Sequence, residues 1–187
     1  MSPKGRPEGE STPKRVSAEG SSVSPKGRPD KFREPEGNPV TVRVQTADFD
    51  AGAEIARLRA GDARVGAVAA FIGTVRDVND DASVARLTLE HYPGMTEKSL
   101  EAIVGEAKQR FDVYEVLVIH RVGDLGPTDQ IVLVAVTSAH RGDAFDACRF
   151  VMDYLKTRAP FWKKERTPEG ERWVEARATD DEAAARW

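Results

Sequence analysis

The chain has 187 residues, with 28 basic and 31 acidic side chains and a net charge of -3, a balance that argues against a nucleic-acid backbone as its main partner. Its single cysteine, Cys148, excludes an internal disulfide and speaks against a cysteine-based metal site. No apolar run approaches the roughly 18 residues of a membrane span and no apolar leader is present, so a cytoplasmic protein is expected.

Residues 1–39 hold seven of the eleven prolines, five glycines and six serines, but only five apolar residues. So little apolar surface cannot offset an ordering cost of roughly 1–2 kcal/mol per residue, and a disordered N-terminal extension is predicted. Within it S-P-K-G-R-P occurs at 2–7 and again at 24–29, too polar to stack as a repeat array. Eight basic and six acidic residues make the extension a solvated linker or a weak basic docking arm. The folded domain is predicted over 40–187.

Residues 40–45 alternate and read as a strand. Residues 50–60 read as a short helix with Ile55 and Leu58 on one face, capped by Asp48 or Asp50. The apolar run V-G-A-V-A-A-F-I-G-T-V-R at 65–76 predicts a buried strand bent at Gly73. A polar loop over 77–82 leads to an alternating strand at 84–91, and the two strands are expected to form a hairpin. Pro93 and Gly94 break the chain before a helix over 95–111, with Leu100, Ile103, Val104 and Ala107 at helical spacing and Thr96 as its cap.

Two β runs follow at 114–122 and 130–138, separated by the turn G-D-L-G-P-T-D. A helix over 141–159 carries the stripe Ala144, Phe145, Cys148, Val151, Met152 and Leu155, and Pro160 ends it. Strands at 161–166 and 172–177 are expected to pair, and 180–187 to add a last helical turn. This order describes an α+β domain and not a series of βαβ units.

Cations concentrate between 138 and 165: His140 and Arg141 at a helix start, Lys156 on its last turn, Lys163 and Lys164 just past Pro160. Helix N-termini leave N–H groups unpaired and attract anions. The same dipole opposes an arginine in the first turn, which fits an anion held there; a surface arginine beside a capping histidine fits equally well. Lys156 lies at the edge of the stripe, either reaching for water or facing a pocket in which an amine serves as nucleophile or base. Strand alternation puts Lys163 on the side of Phe161 and Glu165, with Lys164 opposite. Arg76, ending its strand, either forks onto ligand oxygens or is simply exposed. His91 and His120 read as structural and Cys148 as an inert core thiol. No nucleophile elbow, P-loop, H-E-x-x-H or glycine-rich dinucleotide turn occurs.

Six motifs spread across nearly all of 40–187 resemble the molybdopterin synthase catalytic subunits: F-I-G-T-V-R at 71–76, L-T-L-E-H-Y-P-G-M-T-E-K at 87–98, H-R-V-G-D-L at 120–125, T-S-A-H-R at 137–141, D-Y-L-K-T-R-A-P-F-W-K-K-E at 153–165 and E-G-E-R-W-V-E-A-R at 169–177. The resemblance implies an α/β-hammerhead-type domain with an additional antiparallel β subdomain, and a homodimer at the centre of a heterotetramer. A small ubiquitin-like sulfur-carrier subunit would sit at each end, its C-terminal Gly-Gly thiocarboxylate delivering sulfur to cyclic pyranopterin monophosphate. Two transfers would form the dithiolene of molybdopterin, a sulfurtransferase step of molybdenum cofactor biosynthesis needing no metal or organic cofactor.

Carried over residue by residue, the resemblance makes Lys156 and Lys163 catalytic, with Lys156 near the carrier's terminal carbonyl. Thr74, Val75, Arg76, His140, Arg141, Lys156, Lys163, Lys164 and Glu165 would line the substrate pocket, and Arg177 would contribute to the anion site. Both lysines being present speaks against the alternative, a non-catalytic scaffold for a ubiquitin-like tail. The chain departs from the family where glycine is usual after the Arg76 strand, reading N-D-D-A-S, and where Gly-Asp is usual before the strand at 130, reading P-T-D. His140 and Lys156 lie sixteen residues apart, about 24 Å along a helix. One helix cannot wrap both ends around one small substrate, so a pocket shared across a dimer is expected; in the arrangement that the resemblance implies, His140 and Arg141 come from the other protomer.

Overall fold

The computed structural model describes residues 41–79, 82–83, 85–168, 170–174 and 178–187, so the extension predicted over 1–39 lies outside the described residues. The elements are β1 (Val42–Gln45), α1 (Ala51–Leu58), β2 (Ala67–Thr74), β3 (Val78–Asn79), β4 (Ala82–Ser83), β5 (Arg86–His91), α2 (Met95–Arg110), β6 (Val113–Arg121), β7 (Gly123–Leu125), β8 (Gln130–Ser138), α3 (Arg141–Arg158), β9 (Phe161–Thr167), β10 (Gly170–Val174) and α4 (Ala178–Ala184). The α+β class holds. Among the described residues no helix is long and apolar enough to cross a membrane.

The first sheet runs β1-β6-β8-β2, with β1 parallel to β6 and the other pairs antiparallel. Val116, Val118, Val132, Val134 and Val136 join one core with α2 and α3, whereas Leu117, Ile119, Leu133 and Ala135 pack with Ile55 and Leu58 of α1. Both faces of β6 and β8 are thus covered, which is why these strands read as unbroken apolar runs. Asp50 caps α1, its carboxylate accepting from the Ala53 N–H at 3.0 Å.

β2 corrects the expectation of a buried strand. It lies at the sheet edge, leaving Phe71 42% and Ile72 43% exposed. Its register does shift between Gly73 and Thr74, and a Cβ on Gly73 would stand 2.9 Å from Val132 Cγ1. The expected hairpin of 65–76 with 84–91 does not form. β2 pairs with β8, β5 pairs with β7 and β9, and among the described residues between them β3 and β4 form a short two-stranded ribbon. Long-range burial outweighs chain proximity: Leu87 and Leu89 of β5 find their core with Val75 and Leu125. Leu125 comes from β7, three residues that the sequence places in a turn.

The second sheet is antiparallel, ordered β10-β9-β5-β7, and bears out the additional β subdomain. Thr96 is not the cap of α2. Gly94 takes that position at φ 80°, its N–H donating to Glu97 Oε2 at 2.6 Å, while the Thr96 hydroxyl donates to the Tyr92 carbonyl at 3.0 Å. The stripe on α3 is also rotated from expectation: Phe145 is 63% exposed, and Ala147, Phe150 and Tyr154 are buried. Phe150 sets the rotation, with ring centroids 4.5 Å from Tyr154 and 5.6 Å from both Phe111 and Trp187. Cys148 stays in the core, where burial pushes its thiol up to about 11, so it is inert at neutral pH.

His120 is structural, as expected, and its burial has a measurable consequence. Its ring stacks on Phe161 at 3.8 Å, and Nδ1 lies 2.8 Å from the Arg121 carbonyl, to which a neutral ring donates. Burial pushes its pKa down to about 4. An unfolded histidine takes up a proton below about 6.5, which the folded one resists, so stability falls as pH drops from about 6.5 to about 4, by about 3 kcal/mol in total. His120→Phe keeps the stack and removes the titration. In urea unfolding at a series of pH values, the loss across that window is expected to be smaller in the variant by about that amount.

Candidate active site

The site is assembled where the end of β2 meets β9. The chain turns at 126–129, with the Asp129 N–H donating to the Gly126 carbonyl at 3.1 Å and the Gly126 N–H to Asp129 Oδ2 at 2.8 Å. This turn clamps Val75 from both sides: the Val75 N–H donates to the Asp129 carbonyl at 2.9 Å, and the Thr128 N–H donates to the Val75 carbonyl at 2.8 Å. With buried Val75 held, its neighbours Thr74 and Arg76 are set beside β9.

Thr128 adopts φ 74°, the left-handed region that disfavours a β-branched residue. It is the middle residue of P-T-D at 127–129. Relieving that conformation is worth roughly 1–2 kcal/mol, and glycine gives back roughly 0.5–1 kcal/mol in chain entropy. Thr128→Gly is therefore expected to stabilise the protein by about 0.5–1 kcal/mol in chemical denaturation. A loss of stability would show that the threonine side chain contributes more than its backbone costs.

On β9, Lys163 and Glu165 share a face, as alternation predicts. Lys163 Nζ lies 3.4 Å from Glu165 Oε1, and Arg172 of β10 lies 3.2 Å from Glu165 Oε2. The Glu165 side chain is only 2% exposed, so this carboxylate is desolvated and compensated by two half-exposed cations. A small pocket of about 40 Å³ opens here, lined by Thr74, Val75, Arg76, Leu87, Ile131, Lys163 and Glu165.

Lys164 faces the other side of the sheet, with its ammonium 5.5 Å from the Trp173 ring. A larger depression of about 340 Å³ lies there, where Arg86 meets Asp124 at 3.3 Å and Glu171 meets Lys164 at 3.1 Å and Arg166 at 3.0 Å. Arg86, Asp124, Arg166 and Glu171 around that depression are about half exposed, whereas the smaller pocket sets its charges against Val75, Leu87, Ile131 and a Glu165 only 2% exposed, where electrostatic interactions are stronger, so the smaller pocket is the better place for chemistry despite its size.

Lys156 does not line the Lys163 pocket. It is half-exposed on the last turn of α3, with Nζ 3.2 Å from Asp180 Oδ1 of α4. His140 and Arg141 are exposed at the opposite end of α3, where His140 takes the N-cap position without a side-chain capping bond. Its backbone N–H donates to Ser138 Oγ at 3.2 Å. Close approach at Gly66, whose added Cβ would run into the Ala139 carbonyl, seats this end of α3 against the start of β2.

Within one chain, then, Thr74, Val75, Arg76, Lys163 and Glu165 come together, and Lys156, Lys164, His140 and Arg141 stand apart. Arg177 lies outside the described residues. Arg172 was not singled out from the sequence, although pairing of 161–166 with a following strand already implied a cationic residue opposite Glu165. In the register found, Arg172 faces Glu165 directly. Asp180 carried no local signal, because its tie to Lys156 spans 24 residues.

A family model described as MoaE protein matches residues 44–158. A protein of Ralstonia nicotianae named molybdopterin synthase catalytic subunit is 67% identical over 147 residues, covering 79% of this chain and 84% of its own. Among solved structures, a molybdopterin biosynthesis MoaE protein from Burkholderia ambifaria is 62% identical with a TM-score of 0.68, over 79% of this chain and 97% of that one. A complex of subunits 1 and 2 of molybdopterin-converting factor from Helicobacter pylori shares the fold at 20% identity, with a TM-score of 0.59 over 73% and 92% of the two chains.

Proposed function

The chain belongs to the MoaE family of sulfur-transferring enzymes in molybdenum cofactor biosynthesis, and we propose that its Arg76-Lys163-Glu165 pocket receives cyclic pyranopterin monophosphate and a carrier's C-terminal thiocarboxylate. The observation that carries this reading is a lysine paired with a desolvated carboxylate, with Arg76 lining the same pocket, which is otherwise walled by Thr74, Val75, Leu87 and Ile131. Cations in such surroundings hold phosphate and pterin oxygens, and they stabilise the negative charge that builds on an acyl oxygen as its carbon becomes tetrahedral. Glu165 orients Lys163 without neutralising the site, because Arg172 shares its charge. The family resemblance assigns the sulfur donor to a small ubiquitin-like carrier subunit; the Helicobacter pylori structure, which shares the fold, is itself a complex of two subunits.

A pocket of about 40 Å³ holds part of such a substrate, since small-molecule sites run to roughly 300–1,000 Å³. A second copy of the chain supplies the remainder. Among the described residues β2 has a free edge, and the pocket lies at its C-terminal end while His140 and Arg141 lie at its start. Antiparallel pairing of two β2 edges about a two-fold axis near Ala70 and Phe71 sets Ala67 of one copy opposite Thr74 of the other. His140 and Arg141 of the partner subunit then flank Arg76 and Lys163, which answers the 24 Å problem posed by a single helix. Phe71→Glu is expected to convert a dimer to a monomer in size-exclusion chromatography with light scattering, and to lower turnover at least tenfold. A fully active monomer would rule out the shared pocket.

The overall reading is tested by incubating the purified chain with cyclic pyranopterin monophosphate and thiocarboxylated carrier, and following gain of two sulfurs by mass spectrometry. Dithiolene product is expected. Carrier binding without product would instead support the scaffold alternative.

A further inference from the structure

We propose that Asp180 is a positioning residue for Lys156, held in place by a brace formed from the C-terminal residues 178–187. The proposal rests on the catalytic role that the family resemblance implies for Lys156. Its physical ground is that α4 has only seven residues, too few to hold a helix by itself. Tertiary ties hold it instead. The Trp187 indole N–H donates to Asp153 Oδ2 at 2.9 Å, and the Trp187 carbonyl accepts from Arg110 at 2.7 Å. The indole ring meets Phe111 and Phe150 edge-on, at 5.8 and 5.6 Å between centroids.

Asp153 and Lys156 are three residues apart on α3 and therefore neighbours on one helix face. The brace lies along that face and ties both: Trp187 at Asp153, Asp180 at Lys156. Asp180 is the better fixed member of its pair, with a side chain 21% exposed against 51% for Lys156. A lysine's four-carbon stem otherwise leaves its ammonium free to sweep through solvent. The Asp180 carboxylate limits that sweep and defines where the nitrogen stands when a carrier tail arrives. Such a solvent-exposed pair contributes little to folding, so its value lies in geometry.

Three variants and two readouts test this. Asp180→Asn is expected to lower kcat about tenfold, with KM for the carrier and the melting temperature unchanged, because misplacing a reacting group costs rate more than affinity. Asp180→Glu should recover most of the lost kcat. Independently of turnover, labelling of Lys156 by acetic anhydride, quantified by peptide mass spectrometry, should rise at least threefold in Asp180→Asn and not in Asp180→Glu. Wild-type kcat in Asp180→Asn, or unchanged Lys156 labelling, overturns the proposal while leaving the catalytic role of Lys156 intact. Wild-type turnover in Lys156→Ala overturns both, which separates the two failures.

Discussion

Lys163→Ala is expected to lower sulfur transfer by at least about a hundredfold while leaving the fold unchanged. Lys163 is the ammonium that lines the pocket beside Arg76, and removing one charge-stabilising donor from a preorganised site costs roughly 10²–10³ in rate. Stability should hold, because the side chain is 38% exposed and Glu165 keeps Arg172 at 3.2 Å. Removing Glu165 instead would take away the carboxylate that both cations share, and would confound catalysis with folding.

Lys163→Arg sharpens the test. It restores the charge but replaces a compact ammonium with a planar fork, so only partial recovery is expected. The measurements are single-turnover conversion with thiocarboxylated carrier, and calorimetric titration of the carrier alone. Binding should change little in either variant. Full turnover by Lys163→Ala would remove this lysine from the mechanism and move attention to Lys156.

The second large effect is on stability. Phe150→Ala should cost about 3–5 kcal/mol, the usual range for deleting a buried aromatic ring and leaving its cavity. Phe150 is 0% exposed, and Arg110 lies over its ring at 5.1 Å, so the seam of α2, α3 and the C-terminal brace converges on it. Proteins of this size are stable by roughly 5–15 kcal/mol, so the variant should remain folded with a much lower urea midpoint and an unchanged slope. Phe150→Leu, which fills most of the space, should lose less than half as much. A loss below about 1 kcal/mol in Phe150→Ala would mean that Trp187 and Tyr154 close the gap.

What was legible in the sequence is what local chemistry controls. An aspartate cap for α1 at Asp48 or Asp50, Pro160 as the end of α3 and the division of Lys163 from Lys164 across β9 each follow from backbone geometry within a few residues, and the structure selects Asp50. The chemical identity of the pocket residues was legible too, because F-I-G-T-V-R and P-F-W-K-K-E are distinctive strings and the chain belongs to the family that they resemble. The buried stripe on α3 is turned by about one helical position from the one its periodicity suggests, because Ala147 and Phe150 compete with Phe145 and Met152 for the core and the packing of Phe111, Tyr154 and Trp187 decides between them.

By itself the sequence determined the helices and most of the strands, the balance of charge and the residues able to hold an anion, since all of these depend on periodicity and side-chain type. The tertiary structure alone decided which strands pair. β2 left its neighbour in sequence for β8 and became a free edge, and β7 emerged from a turn to cover Leu87. Strand pairing is set by which distant apolar faces can be buried together, a global sum that no local window contains. That same sum placed Lys163 beside Arg76, tied Lys156 to Asp180, and left His140 and Arg141 at the far end of α3.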